Sequence, residues 1–220
     1  MYDIAIIGGG VIGCALAREL SRYKASLVVL EKEDDVCSGS SKANSGISHA
    51  GFDAKPGTNK ARFNVLGSKM MKDYCEELGV KYKNNGALVI AFGKEDEKTL
   101  EELLERGKIN GVGGLEILDQ KRLHEVEPNV SPEATAALYA KTSGIVCPYD
   151  LTFACMGNAM DNGAELKTNF AVEKIDKNGE YYTLTAHSGE SVQAKIVVNC
   201  AGAGSGKIAR LVGDESVNIG

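Results

Sequence analysis

Three glycines, Gly8, Gly10 and Gly13, form a G-x-G-x-x-G pattern just where a β-type run, Tyr2 to Ile7, gives way to a run of helical composition, Val11 to Arg22. No other feature of the 220 residues restricts the fold as much. The first glycine permits a tight turn, the second lets a bound group approach the backbone, and the third lets helix and strand lie close together. Ser26 to Leu30 is again β-type, so the opening stretch reads as a βαβ unit. Glu31 ends that second strand, eighteen residues past Gly13, and completes the fingerprint of a dinucleotide site. The N-terminus of the helix offers N–H groups and the positive end of its dipole to phosphates.

A carboxylate at Glu31 would accept hydrogen bonds from adenosine ribose hydroxyls and disfavour a 2′-phosphate. That points to FAD or NAD rather than NADP. Two later segments bear on the choice between flavin and nicotinamide. Gly39 to Gly46, which includes Ser40, Ser41 and Ser45, concentrates the hydroxyls and backbone donors that a diphosphate or flavin edge requires. Ile196 to Val198 then runs through Asn199 and Cys200 into Ala201, Gly202, Ala203 and Gly204 and a helix to Leu211, which would bring another backbone turn to the nucleotide.

The remainder divides by composition into a split α/β nucleotide portion, residues 1–78 and 148–220, and a smaller α+β portion, residues 79–147, inserted between them. Thr58 to Leu78 has Phe63, Leu66, Met70, Met71, Tyr74 and Leu78 at spacings of three and four, which predicts an amphipathic helix. Asn84, Asn85 and Gly86 predict a hairpin between two strands, Val80 to Tyr82 and Ala87 to Phe92. Lys94 to Lys108 and Gln120 to Val126 read as helices, the second capped by Asp119, and Asn178 with Gly179 reads as a turn between strands. The chain ends at Val217 to Gly220 without the closing element a complete two-domain enzyme would supply.

A net charge of −5, from 25 basic and 30 acidic residues, argues against a nucleic-acid or membrane-surface binder. The longest nearly apolar run, Ile4 to Ala17, holds four glycines and is too short to span a bilayer. The six cysteines form no C-x-x-C pair, and the three histidines are not at metal-ligand spacing. No metal is expected, and the cysteines read as free buried thiols of a reducing, cytoplasmic compartment, with any membrane association through partners.

Ser41-Lys42-Ala43-Asn44-Ser45-Gly46-Ile47-Ser48-His49-Ala50-Gly51-Phe52-Asp53-Ala54-Lys55-Pro56-Gly57-Thr58 resembles, almost throughout, one stretch of the FAD-dependent oxidoreductases related to D-amino-acid oxidase, closest to the anaerobic-type glycerol-3-phosphate dehydrogenases. Val197 to Gly202 resembles a later strand of the same family. The resemblance implies a Rossmann-like FAD-binding domain of the GR2 flavoprotein type with an inserted, incomplete α+β substrate domain. It implies FAD contacts from Gly8, Gly10, Gly13, Ser40, Ser41, Ser45, Gly46 and Ile47, ribose contact from Glu31, adenine contact from the backbone of Val172, and a further turn at Ala201 and Gly202.

His49, in the loop expected beside the flavin, is the candidate to take a proton from a secondary alcohol, since imidazole titrates near neutrality. A hydrogen-bonded loop histidine is the alternative. The implied reaction is oxidation of sn-glycerol 3-phosphate, a small anionic substrate, to dihydroxyacetone phosphate, with the electron acceptor open. Oxidation of L-2-hydroxyglutarate or another 2-hydroxy or 2-amino acid is the second reading. A third is an inactive FAD-binding fragment, completed by a partner chain or a missing C-terminal region.

Overall fold

The structure, a computed structural model, describes residues 1–217; Asn218 to Gly220, part of the ending noted above, lie outside the described residues. In chain order it contains β1 (Tyr2–Ile7), α1 (Val11–Leu20), β2 (Leu27–Leu30), β3 (Ile47–Ser48), α2 (Asn59–Glu77), β4 (Tyr82–Lys83), β5 (Ala87–Ala91), α3 (Lys94–Asn110) and β6 (Leu115–Asp119). There follow α4 (Gln120–Val126), β7 (Ala136–Ala140), β8 (Gly144–Val146), α5 (Pro148–Asp161), β9 (Glu165–Lys167), β10 (Val172–Asn178), β11 (Tyr181–Ala186), β12 (Ser191–Asn199), a 3₁₀ turn and α6 (Ser205–Arg210). Two units emerge, residues 1–45 with the stretch from Pro148 onward, and residues 46–147. Helix α2 belongs to the second of these rather than to the nucleotide portion, because it contacts β3, β4 and α3.

In the first unit a six-stranded sheet runs in the order β10-β11-β12-β1-β2-β9. Strands β12, β1, β2 and β9 are parallel, whereas β10, β11 and β12 form an antiparallel meander. Side chains alternate across it: Ala5, Ile7, Val28 and Leu30 join Phe170, Val172 and Leu184 in one core, while Ile6 and Val29 point to the opposite face. Helix α1 contacts β1 and β2 and lies against α5, which buries Cys155, Met156 and Ala159. Burying a side chain such as Ile6 or Leu30 contributes about 1.5–3 kcal/mol. The expected Asn-Gly turn joins β10 to β11, with Gly179 at φ 63°.

One polar lock ties the start of β1 to the middle of β12 and to the residue that precedes β2. Asp3 on β1 accepts from the amide and hydroxyl of Ser26, each at 2.9 Å, and from Lys195 Nζ at 2.7 Å. The Lys195 ammonium and the Ser26 donors hold the Asp3 carboxyl well below its usual range. A carboxyl lowered in the folded state adds stability above its unfolded value, near pH 4, and that stability is lost as pH falls further. Asp3→Asn should therefore lower the thermal midpoint at pH 7, and the difference from the unaltered chain should shrink on acidification below pH 4. A constant difference from pH 7 to pH 2 in thermal melts would refute this role.

The second unit holds two three-stranded antiparallel sheets, β3-β8-β4 and β5-β7-β6. Central strand β7 sends Ala136, Leu138 and Ala140 toward one core with Leu100 of α3, and Ala137 toward another with Leu123 of α4. Helix α3 opens with Glu95, Asp96 and Glu97 and closes with Lys108 and the left-handed Gly111, charges and cap that suit its dipole and its last carbonyls. Asp119 caps α4 as expected, accepting from the Arg122 amide at 2.8 Å.

The hairpin expected across Asn84, Asn85 and Gly86 does not form. Strands β4 and β5 lie in different sheets, because the Asn84 amide donates to the carbonyls of Lys141 and Ser143, 57 and 59 residues away, and the Gly86 amide also donates to Ser143. The helix expected from Thr58 forms as α2, with Thr58 capping Ala61. It buries Ala61, Val65 and Cys75 and turns Phe63, Leu66 and Met70 outward. Among the described residues no helix is long and apolar enough to cross a membrane.

Candidate functional site

The turn from β1 into α1 is built so that side chains cannot occupy it. Gly8 sits at φ 111°, and a Cβ there would overlap the carbonyl oxygen of Cys200. Its amide donates to Leu30 O at 2.9 Å, while the Cys200 amide donates to Ile7 O at 2.8 Å, so the ends of β2, β1 and β12 converge on it. A Cβ at Gly13 would overlap the Gly8 carbonyl oxygen, which gives that glycine the close-packing role expected of it. Gly10 is the extended N-cap of α1, and a Cβ there would lie 3.1 Å from Ser41 Oγ.

The N-terminus of α1 is arranged for an anion. Gly10 supplies no side-chain cap, the first turn holds no acidic residue, and the Val11 amide donates to Ser41 Oγ at 2.9 Å. The positive dipole end and the neighbouring N–H groups therefore act on whatever approaches this turn. Ser41 thus stands at the helix end.

Glu31 is buried at 7 % exposure and holds backbone with both oxygens. Oε2 accepts from the Gly9 amide at 2.6 Å, and Oε1 from the Glu33 amide at 2.9 Å. Gly9 escaped the sequence reading although it lies inside the glycine run; a Cβ on it would come within 3.0 Å of both the Glu31 carboxylate and Val36. Cys37, at φ 63°, donates its amide to the Gly9 carbonyl at 2.9 Å and braces the outer side of the turn.

Asn199 is the second residue that went unread. Its Oδ1 accepts from the Ala201 amide at 3.2 Å and its Nδ2 donates to Ser205 O at 2.8 Å, so one side chain shapes the turn carrying Ala201 and Gly202. Gly202 is left-handed at φ 55°, and the Ala201 Cα lies 3.1 Å from the position of a Cβ on Gly8. Val172 is buried at the start of β10. Burial pushes the Cys14 thiol up to about 12 and raises that of Cys200, which disfavours the thiolate at both. All six cysteines are free, but Cys147 is exposed rather than buried.

The structure therefore gathers Gly8, Gly10, Gly13, Glu31, Ser41, Ala201 and Gly202 in the first unit. Ser40 and Ser45 are exposed residues of the same unit. Gly46, Ile47 and His49 belong to the second unit. There Gly46 is left-handed at φ 67° and accepts from the Val146 amide, and Ile47 pairs with Ile145. His49 is exposed just past β3, on a loop held by Ser143, which accepts from the Ala50 amide, and by Asn110, which donates to Gly51 and Ala54. His187 is at 2.8 Å from Glu173 and His124 lies on α4, apart from this chemistry.

A cradle with three bare glycine positions at the N-terminus of α1 fits a dinucleotide pyrophosphate. Comparison with known proteins agrees. Residues 3–219 match the family model described as DAO, FAD dependent oxidoreductase. The chain is 44 % identical over 219 residues to a glycerol 3-phosphate dehydrogenase of Caloramator mitchellensis, covering 100 % of this chain and 45 % of that protein. It is 36 % identical over 225 residues to the mitochondrial L-2-hydroxyglutarate dehydrogenase of Bos taurus, covering 96 % of this chain and 48 % of that one. Among solved structures, the dithionite-reduced L-alpha-glycerophosphate oxidase of Mycoplasma pneumoniae with FAD bound superimposes with a TM-score of 0.91 at 31 % identity, over 96 % of this chain and 56 % of the other. The chain spans about half the length of the curated relatives it matches.

Proposed function

The chain belongs to the DAO family of FAD dependent oxidoreductases, and from that premise we propose that it carries the FAD-binding part of an enzyme that oxidises sn-glycerol 3-phosphate to dihydroxyacetone phosphate. The single observation behind the cofactor assignment is the glycine turn, where backbone carbonyls exclude any side chain at Gly8 and Gly13 directly beside the N-terminus of α1. The 44 % identity to a glycerol 3-phosphate dehydrogenase supports the substrate.

In this reading Gly8, Gly10, Gly13 and the α1 amides hold the pyrophosphate, Ser41 borders it, and Glu31 fixes the turn while offering its remaining lone pairs to ribose hydroxyls. Val172 meets the adenine through its backbone. Ala201 and Gly202 would form a further turn beside it, and Ser40, Ser45, Gly46 and Ile47 would supply the flavin contacts that the family resemblance implies. FAD held there would supply the acceptor for the hydride of the substrate's carbinol carbon. His49 Nε2 or Nδ1 takes the hydroxyl proton, so that the C–H and O–H bonds of the alcohol yield a ketone.

A second reading, oxidation of L-2-hydroxyglutarate, is supported by the 36 % identity to the bovine enzyme. Anaerobic addition of each substrate to the complete, FAD-loaded enzyme separates the two. Glycerol 3-phosphate should bleach the flavin bands and L-2-hydroxyglutarate should not; the reverse result selects the second reading. His49→Gln should slow bleaching about 10²–10⁴-fold with flavin content unchanged. An unaltered rate would reduce His49 to an ordinary loop histidine.

A further inference from the structure

Helix α2 presents to the outside a face suited to another helix. Its inner face is small, whereas Phe63, Leu66 and Met70 are 58 %, 44 % and 61 % exposed. These stand at i, i+3 and i+7, the spacing of a seam between two packed helices. Gly67 lies between them with open space where a side chain would project, which leaves room for close approach. Lys60, Arg62 and Lys69 are exposed along the flanks, and the Arg62 guanidinium lies 5.1 Å from the centre of the Phe63 ring. Isolated exposed apolar side chains are ordinary, but three large ones in register on one helix mark an interaction surface.

We infer that this seam receives an amphipathic helix with acidic flanks, supplied by the part of the enzyme that lies outside this chain. The inference rests on the reading that such a part completes the enzyme. Three observations select this occupant. The matched relatives hold as much chain again, since only 45 % of the Caloramator protein and 56 % of the Mycoplasma oxidase chain are covered. A bilayer is disfavoured, because Asp73 and Glu77 continue the same row at i+10 and i+14 from Phe63 and are exposed. A second copy is disfavoured, because self-pairing about Leu66 would set the flanking lysines and arginine against their own kind.

The test compares the 220-residue chain with the complete enzyme under dilute hydrogen peroxide, reading sulfoxide at Met70 by mass spectrometry against Met1, which is 74 % exposed. The ratio of Met70 to Met1 oxidation should fall at least about ten-fold in the complete enzyme, because helix packing removes the sulfur from solvent. An equal ratio in both overturns the inference. So does a ratio that falls in the 220-residue chain alone as its concentration rises, which would identify a second copy, or on adding phosphatidylserine vesicles, which would identify a bilayer. Flavin content and bleaching by glycerol 3-phosphate are read on the same samples. Protection of Met70 without flavin refutes the proposed function and leaves the docking seam standing; flavin chemistry with Met70 unprotected does the reverse.

Discussion

Valine in place of Gly10 should leave the protein folded and reduce its bound flavin to about a hundredth or less, a loss of about 2.7 kcal/mol or more in binding free energy. The backbone at Gly10 is extended, with φ −76° and ψ 174°, so a β-branched residue puts no strain on the backbone there. Its methyl groups would instead stand beside Ser41 Oγ at the mouth of α1, where a pyrophosphate must reach the backbone. Gly8 and Gly13 differ, since backbone carbonyls meet any Cβ at those positions and substitution would disturb the fold itself. Flavin content together with the thermal midpoint separates the two cases. Normal flavin content in Gly10→Val would contradict the assignment of this turn to the cofactor.

Glu31→Ala should be the most destabilising single truncation near the site. It strips acceptors from the Gly9 amide, in a buried hydrogen bond, and from the Glu33 amide, in a partly buried one. Each buried donor left without a partner costs about 1–3 kcal/mol, so the pair should cost about 2–6 kcal/mol. At about 2–4 °C per kcal/mol for a chain of this size, the thermal midpoint should drop by about 4–24 °C. Glu31→Gln, whose carbonyl oxygen can still accept one of the two amides, should fall between Glu31→Ala and the unaltered chain. A drop of less than 2 °C for Glu31→Ala in thermal melts would show that water replaces the carboxylate at little cost.

The parts legible in the sequence were those whose chemistry is local. A strand, three spaced glycines, a helix and Glu31 lie within the first 31 residues, and each glycine has the reason for its place within the same turn or at one converging strand end. Asp119 announced its helix because capping acts over three residues. The hairpin at Asn84 was misread because its amide is satisfied by carbonyls more than fifty residues later. Strands β3, β8 and β9, two or three residues long, carry too little periodicity to be read without their partners.

Helix α2 taught a different lesson. Its spacing of large apolar residues predicted the helix, yet the face against its own unit is made of Ala61, Val65 and Cys75. Periodicity locates a helix and its stripes, but the neighbour that each stripe meets is decided elsewhere in the chain or beyond it. Gly9 and Asn199 were missed for a related reason. Neither belongs to the spacing that defines a nucleotide motif, although each holds one of its turns by a hydrogen bond.

The most direct test of the central claim, that the glycine turn and Glu31 form an FAD site, is calorimetric titration of the complete enzyme, stripped of bound nucleotide, with FAD and with NADP. The account predicts one FAD bound per chain with micromolar or tighter affinity, no binding of NADP, and loss of the FAD signal in Gly10→Val. NADP binding in preference to FAD, or FAD binding that persists in Gly10→Val, would contradict it.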